Sequence, residues 1–205
     1  ADILALKRDV VSDFAAAVAR IGGERKSLFS IPGNLDCVRH CPVCQASTDG
    51  ISSALEVYGA SYVRCDTCSH YFVANRLTRD ALEQFYRLNV GYQATYADRH
   101  QARLRMDEIH KPKLGWLLQE YSRLYGDRPR AILDVGAGSG HFCACAREAG
   151  ISCDGIELSE SGRVFAAEVF NIKLDACDFV EHAPAYTGRY DVVTFWGLIE
   201  HVPDP

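Results

Sequence analysis

A turn of alternating glycines is the stretch of this sequence best suited to hold a ligand. Asp134 is followed by Gly136, Gly138 and Gly140, directly after the apolar run 131–133. Glycines at every second position allow dihedral angles that other residues avoid, and they let a ligand approach the backbone closely. A helix starting at Gly140 would point free N–H groups at the same place. The spacing differs from the G-x-G-x-x-G of dinucleotide sites, so it predicts only a nucleotide-like ligand.

Acidic and aromatic side chains follow the next predicted strands. Glu157 ends the second strand, where a carboxylate can accept hydrogen bonds from both hydroxyls of a ribose. Asp178 and Phe179 follow the third strand, where a carboxylate can bond an adenine amino group and an aromatic ring can cover the base. Two other interpretations stay open, because Asp178 can equally cap a turn and Phe179 can equally pack in a core.

Two C-x-x-C pairs form a second candidate site, composed of Cys41, Cys44, Cys65 and Cys68. The chain has nine cysteines, an odd number, and no secretory segment, so metal ligation is favoured over a disulfide framework. Two tight turns would bring four thiolates to one Zn²⁺ in a closed tetrahedral site, which indicates a structural role. A redox dithiol is the alternative. Three nearby residues could replace a ligand, but we expect them around the site or on the surface: Cys37, His40 and His70.

The elements around the cysteines indicate a zinc ribbon. Residues 53–58 and 61–64 are expected to form a hairpin around Gly59. Before it, apolar residues at helical spacing predict a helix over residues 2–21, ended by Gly22-Gly23 and suited to packing or to a protein partner or oligomer contact. After it, a helix over 77–88 capped by Thr78 leads to a tyrosine-rich segment, which could cover a ligand cleft or simply a core.

Alternating strands and helices in the second half predict an α/β fold. A helix over 101–125, bent at Pro112, precedes the glycine turn. We expect a Rossmann-like, doubly wound parallel sheet of about four strands in the order 3-2-1-4. Its further helices and strands are expected at residues 140–149, 152–157, 159–170, 172–174 and 190–196. The predicted domains are an N-terminal helix (1–35), the zinc ribbon (36–75), a helix with the tyrosine-rich linker (76–100) and the sheet domain (101–205).

The charge distribution argues against a nucleic-acid partner. The net charge is −5, and residues 1–110 are balanced, with 13 basic and 13 acidic side chains. Residues 111–205 carry the acidic excess, with 9 basic and 14 acidic side chains. Neither half has the basic footprint that binds phosphates. No apolar run is long enough for a membrane span or a signal peptide, so we expect a cytoplasmic protein.

Four motifs in order over residues 131–205 resemble those of class I S-adenosylmethionine (SAM)-dependent methyltransferases. They are the glycine turn, Glu157, the Asp178-Phe179 pair and the run from Asp191 to Pro205 that contains Glu200-His201. The resemblance implies a SAM site, with Glu157 on the ribose and Asp178 and Phe179 at the adenine. It places Asp134, Gly136, Gly138 and Gly140 along the methionine side. It also places Trp196 and Gly197 beside the sulfonium, although Trp196 can equally be core.

The N-terminal cysteines followed by such a domain look like bacterial methyltransferases of sugars, glycans or natural products. This resemblance implies a small-molecule or glycan acceptor and O- or C-methylation, for which His201, or His141 after it, is the candidate general base. Two alternatives remain: an RNA methyltransferase that binds RNA through the ribbon, and a non-catalytic zinc-ribbon interaction module. The class I sheet normally has seven strands, so we expect this chain to be a fragment, or the ordered part, of a longer enzyme.

Overall fold

The computed structural model describes residues 13–88 and 98–201, which form two compact units. The first unit extends to Phe85 and the second begins at Tyr86. No helix in these two ranges is both long enough and apolar enough to cross a membrane.

The first unit contains one long helix and two small antiparallel sheets. Helix α1 spans Phe14–Ser30. Strand β1 (Leu35–Cys37) pairs with β5 (Asn75–Leu77), a pairing that the sequence analysis did not predict. Strands β2 (Ser53–Val57), β3 (Ala60–Arg64) and β4 (Tyr71–Val73) form the second sheet in the order β2-β3-β4. The predicted hairpin is therefore present, and Tyr58 and Gly59 both adopt positive φ in its two-residue turn.

The prediction that Gly22-Gly23 end the first helix is wrong. Helix α1 begins after Asp13, whose Oδ1 accepts a hydrogen bond from Ala16 N at 3.0 Å, and it continues through both glycines to Ser30. Gly22 is kept small by a neighbour, because a Cβ there would lie 2.5 Å from Cε1 of Tyr58. Close packing against the hairpin therefore outweighs the low helix propensity of glycine. The predicted start of the helix lies outside the described residues.

Helices precede and separate the strands of the second unit. Helix α2 (Arg79–Leu88) links the two units, and Thr78 Oγ1 caps it by accepting from Ala81 N at 3.2 Å. A 3₁₀ turn (Arg99–Gln101) and helix α3 (Ala102–Arg105) come before a π-helical turn (Met106–His110) and helix α4 (Lys111–Tyr125). Pro112 lies in the first turn of α4, directly after the π turn. At the position of the predicted bend, the helix type changes from π to α.

The sheet of the second unit is parallel and lies between two apolar layers. Strands β6 (Ala131–Val135), β7 (Ser152–Ile156) and β8 (Val192–Thr194) pair in the order β7-β6-β8. Helices α5 (His141–Glu148), α6 (Glu160–Phe170) and the short α7 (Phe179–His182) follow the strands, and a 3₁₀ turn follows β8 at Ile199–His201. Ile132 packs into one buried cluster and Leu133 into another, so β6 is covered on both faces.

The third predicted strand, residues 172–174, does not form. A single parallel bridge joins Ile156 to Asp175, where Asp175 N donates to Gly155 O and Glu157 N donates to Asp175 O. Ile172 and Leu174 are instead core residues that pack beside α5 and α6. The described sheet therefore has three strands, and the four-strand order stays a prediction.

Candidate functional site

The predicted ligand residues of the second unit gather at the carboxyl ends of its parallel strands. The glycine turn follows β6, Glu157 follows β7, and Trp196 and Gly197 follow β8. Gly136 N and Ala137 N both donate to Ile156 O at 2.9 Å, which holds the turn against the end of β7. This edge is where open α/β sheets bind their ligands.

The three glycines share positive φ values but have different surroundings. Their φ angles are +73°, +57° and +75° for Gly136, Gly138 and Gly140, respectively. A Cβ at Gly136 would lie 3.0 Å from a Leu198 methyl, and one at Gly140 would lie 2.8 Å from Ala166 Cβ. A Cβ at Gly138 would have no described atom within 4 Å. Two glycines therefore permit internal packing, and Gly138 is the one that leaves its backbone open to a ligand.

Glu157 is tied to the turn by backbone hydrogen bonds. Its Oε2 accepts from Gly138 N and its Oε1 accepts from Ser159 N, each at 2.7 Å. Burial raises the pKa of this carboxyl, and the bonds from the two backbone N–H groups oppose that rise. Each oxygen keeps a further lone pair, so the carboxylate can still accept from ribose hydroxyls.

Asp134 lies at the end of β6 with only 3% of its surface exposed. Thr194 Oγ1 on β8 lies 2.7 Å from its Oδ1. Burial raises the pKa of Asp134 to about 7, although the Thr194 hydroxyl and the charge of Lys113 favour the ionised form. Close to neutral pH, this carboxyl therefore exists in both protonation states.

Two buried polar atoms near the turn also bear on ligand binding. Ser139 Oγ and Trp196 Nε1 have no hydrogen-bond partner within residues 13–88 and 98–201. The Trp196 ring packs edge-on against Trp116 and at a tilt against Phe142, with Lys113 Nζ 5.1 Å from the ring centre. Because unpaired buried donors are costly, these atoms fit a site that a polar ligand completes.

Asp178 and Phe179 both make local contacts within the second unit. Asp178 Oδ1 accepts from Val180 N at 2.8 Å, as expected of a residue that caps the start of α7. Phe179 packs on the cluster that contains Leu133, and its ring lies 5.6 Å from that of Phe195. Their predicted contacts with an adenine stay predictions.

The two candidate bases occupy contrasting places. His201 is exposed in the last 3₁₀ turn, with its ring edge-on to Tyr86 at 6.1 Å. His141 is 4% exposed, and its ring stacks on His110 at 5.3 Å and on Phe165 at 5.6 Å. The pKa of His141 is lowered to about 4, chiefly by burial, so this ring is neutral and enclosed.

The four predicted metal ligands of the first unit come together. The Sγ atoms of Cys41, Cys44, Cys65 and Cys68 all lie within 4.8 Å of one another, and they form the only such cluster among residues 13–88 and 98–201. Two of the pairs lie 3.5 and 3.6 Å apart, close to the separation of about 3.8 Å that Zn–S bonds of about 2.3 Å require in a tetrahedron. These distances exclude disulfide bonds, so the donor set fits Zn²⁺.

The two C-x-x-C turns have equivalent backbone geometry. Gln45 N donates to Cys41 O, and Ser69 N donates to Cys65 O, each at 2.9 Å. Gln45 and Ser69 both adopt positive φ, at +60° and +64°. Each turn thus reverses direction after its second cysteine, which points its two thiols to the shared centre.

Sequence reasoning missed two residues of the second site. Thr194 was assigned only to a strand, and its contact with Asp134 depends on the parallel register that aligns these two residues. Lys113 was assigned to a helix, and its place over Trp196 depends on how α4 crosses the sheet. No local motif marks either residue, although a threonine at the end of an apolar strand was a usable signal.

Residues 100–205, about half of the chain, match a protein family described as "Methyltransferase domain". The chain belongs to this family of methyltransferase domains. The α/β fold of the second unit is therefore the fold of a methyltransferase domain. Two similar proteins are both named "Ubiquinone biosynthesis O-methyltransferase". The one from Erwinia tasmaniensis is 32% identical over 105 residues, and the one from Bordetella parapertussis is 37% identical over 103 residues.

These matches include only part of each relative. They take in 49% and 47% of this chain, and 42% and 41% of the Erwinia and Bordetella proteins, respectively. The chain therefore spans less than half the length of the curated relatives it matches. Among solved structures, the methyltransferase domain is similar to the plantazolicin methyltransferase BpumL in complex with SAH, with 19% identity, a TM-score of 0.40, and coverage of 55% of this chain and 44% of that one.

Proposed function

We propose that this protein transfers a methyl group from SAM to a small-molecule or sugar-type acceptor, by O- or C-methylation. The proposal follows the family of the second unit and the small-molecule biosynthesis named for its relatives. When bound, SAM supplies an activated methyl group on a positively charged sulfur. What the chain itself contributes is binding and alignment, which provide much of the catalysis in such a displacement.

The observation that carries the proposal is the open backbone of Gly138 beside the Glu157 carboxylate. Among the three glycines of the turn, Gly138 is the one that combines positive φ with open surroundings. Glu157 accepts a hydrogen bond from the N–H of that same glycine, and this proximity supports a ribose contact by its carboxylate. Asp134, Gly136 and Gly140 would line the methionine side of this site, and Trp196 and Gly197 would border the sulfonium.

His201 is our candidate for the group that removes the acceptor's proton. Its ring is exposed and lies edge-on to Tyr86, and this exposure supports access by an acceptor. The adenine contacts proposed for Asp178 and Phe179 belong to the same site. The tyrosine-rich segment after Tyr86 lies outside the described residues.

In the first unit we propose a structural zinc ribbon. Four thiolates fill the coordination sphere of Zn²⁺ and leave no open position for a substrate. The same proposal includes the four-part domain division given above, with the methyltransferase domain beginning near residue 101. A cytoplasmic location and a protein contact through the N-terminal helix stay predictions.

Titration of the chain with SAM by calorimetry tests the proposed function. Gly138→Ala would place a methyl group in the open space that the ligand needs, so we expect SAM affinity to fall at least tenfold. Gly126→Ala is the matched control, because Gly126 also has positive φ (+69°) and open surroundings but caps the far end of α4. Both variants carry similar backbone strain, and only Gly138→Ala should lose binding.

A second pair of variants tests the ribose contact. Glu157→Gln keeps the shape of the side chain but removes its charge, and we expect weaker SAM binding with little change in fold. Glu168→Gln is its control, because Glu168 forms an exposed ion pair with Arg99. If wild-type protein binds no SAM, or if Gly138→Ala and Gly126→Ala bind it equally well, the proposed site is wrong.

A further inference from the structure

Asp134 and Thr194 form a buried pair across two neighbouring strands. They are direct partners in the parallel register of β6 and β8, and they are 3% and 6% exposed. Thr194 Oγ1 lies 2.7 Å from Asp134 Oδ1, and Asp134 takes part in none of the salt bridges found within residues 13–88 and 98–201. A buried carboxylate with one hydroxyl donor and no paired cation is under-compensated.

The Thr194 hydroxyl has a second acceptor within reach. Its Oγ1 also lies 3.4 Å from the carbonyl oxygen of Leu133, so its single proton can take either of two directions. When Asp134 is ionised, Thr194 donates to the carboxylate. When Asp134 is protonated, its O–H can donate to Thr194 Oγ1 while the threonine proton turns to Leu133 O. The pair therefore has a hydrogen-bonded arrangement for both protonation states.

The charged and titratable groups around Asp134 come from three elements. Lys113 of α4 favours the carboxylate, and Glu157 after β7 opposes it. Cys143 of α5 is a buried thiol that interacts electrostatically with Asp134, and its pKa is raised well above the ordinary value, chiefly by its interaction with Cys153 and by burial. Cys143 is therefore neutral, Lys113 and Glu157 act on Asp134 in opposite directions, and Thr194 is the partner that favours its ionised form most.

We propose that Thr194 is a positioning residue that allows Asp134 to lose its proton when the positively charged cofactor binds. This inference rests on the proposed function, because it assumes that SAM binds at the carboxyl end of β6. On binding, the Asp134 O–H bond breaks, its electron pair stays on the carboxylate, and the proton leaves to solvent. The Thr194 proton then turns from Leu133 O to the new carboxylate.

Proton release on SAM binding distinguishes this pair from a merely structural contact. Calorimetry in phosphate and in Tris, whose heats of ionisation differ, gives the number of protons released. Because the pKa of Asp134 lies at about 7 in the free protein, we expect release of about half a proton at pH 7. The release should approach one proton near pH 6 and vanish above pH 8.5, and SAM affinity should rise with pH over the same range.

Variants of Thr194 assign the proton to Asp134. Thr194→Val removes the hydroxyl that favours the carboxylate, so the release profile should move to higher pH, and SAM affinity at pH 7 should fall on the order of tenfold. Affinity should return to the wild-type value near pH 9. Thr194→Ser keeps the hydroxyl and should behave as wild type. Tryptophan emission shows whether each variant is folded.

The outcomes separate this inference from the proposed function. Absence of SAM binding by folded wild-type protein overturns the proposed function, and this inference with it. Binding without proton release between pH 6 and 8.5 overturns the inference alone. Release with an unchanged profile in Thr194→Val assigns the proton to another group, such as Glu157, and also overturns it. If Thr194→Val does not fold, a proton-release profile of Thr194→Ser that differs from that of the wild type also overturns the inference.

Discussion

The two units differ in what a ligand would add to them. In the first unit, Cys41 and Cys65 are themselves members of the small buried cluster, together with Val63 and Phe72. In the second unit, the sheet and helices bury an extensive core, and the glycine turn lies at its edge. In the first unit a bound metal would therefore supply stability that the small apolar core cannot. In the second unit a cofactor would bind beside an apolar core that is already large enough to be stable.

Loss of zinc is the largest effect that this comparison predicts. Cys65→Ser removes one ligand from the cluster, and we expect loss of the metal and unfolding of residues 13–85. Structural zinc contributes on the order of 10 kcal/mol to such small units. Zinc content of the purified chain, expected to be one per chain, and hydrogen exchange of β2, β3 and β4 measure the two effects.

The chain offers controls for both units. Cys37→Ser changes an exposed cysteine of β1 outside the cluster, so it should keep the zinc. Trp116 and Trp196 are the only tryptophans and both lie in the second unit, so their emission should be unaffected by Cys65→Ser. If zinc removal changes this emission as strongly as it changes exchange in the first unit, the contrast between the units fails.

Acid should act on the second unit through its stacked histidines. Burial lowers the pKa of His110 to about 3 and that of His141 to about 4 in the folded state, compared with about 6.5 in the unfolded chain. The folded state therefore binds fewer protons, and stability is complete above pH 6.5 and falls as the pH drops toward 3. Between pH 7.5 and 4.5 we expect the two histidines together to lower the stability by about 5 kcal/mol, roughly half from each, measured by urea unfolding with tryptophan emission.

A phenylalanine at either position isolates this effect. His141→Phe keeps a ring against Phe165 and Phe170 but removes one titrating ring, so about half of the histidine-linked loss should disappear while His110 supplies the rest. His100→Phe is the control, because His100 is exposed in the 3₁₀ turn before α3. Equal pH dependence in wild type and His141→Phe would contradict the assignment. The raised pKa of Asp134 makes stability increase as the pH falls, and this effect is the same in wild type, His141→Phe and His100→Phe.

Features set by short stretches of sequence were predicted correctly. The β/α alternation, the C-x-x-C turns and the cap at Thr78 each depend on neighbouring residues. Features set by distant contacts were not. Gly22 continues its helix because Tyr58 packs on it, and residues 172–174 become core instead of strand. The pairing of β1 with β5 also joins segments that have no shared pattern.

The same division applies to the candidate sites. The clustering of the four cysteines could be predicted, because their spacing alone indicates a metal site, and their role as zinc ligands stays a prediction. The glycine turn and Glu157 could be predicted as a group, but not which glycine has open surroundings, since Ala166 and Leu198 decide this from elsewhere in the chain. Thr194 and Lys113 required the register of the sheet and the crossing of a helix.

A smaller difference in stability is expected between alanine substitutions at glycines that pack against a neighbour and at glycines with open surroundings. Gly140→Ala would place a Cβ 2.8 Å from Ala166 Cβ, so we expect a loss of about 2 kcal/mol or more from overpacking and positive φ together. Gly150→Ala has similar φ (+78°) and open surroundings, so it should lose only the backbone part, about 1 kcal/mol. Urea unfolding followed by tryptophan emission measures both. Equal losses would mean that the turn adjusts around Gly140.

The helix caps should show the smallest difference. Ser159 is 1% exposed, and its Oγ accepts from Gly162 N at 3.4 Å at the start of α6. Asp13 is exposed and accepts from Ala16 N at 3.0 Å at the start of α1. Replacing either by alanine should cost about 1 kcal/mol of local stability. Because burial removes water as a substitute partner, we expect the larger loss at Ser159.

Each cap needs its own readout, because the two units are expected to unfold separately. Urea unfolding by tryptophan emission should detect Ser159→Ala but not Asp13→Ala, whose effect should appear only in hydrogen exchange of α1. Ser159→Thr and Asp13→Asn are the matched controls, since both keep a capping oxygen and should recover most of the loss. A change in tryptophan-detected stability from Asp13→Ala would show that the units are energetically coupled, and the contrast between a metal-completed unit and a self-sufficient one would then not hold.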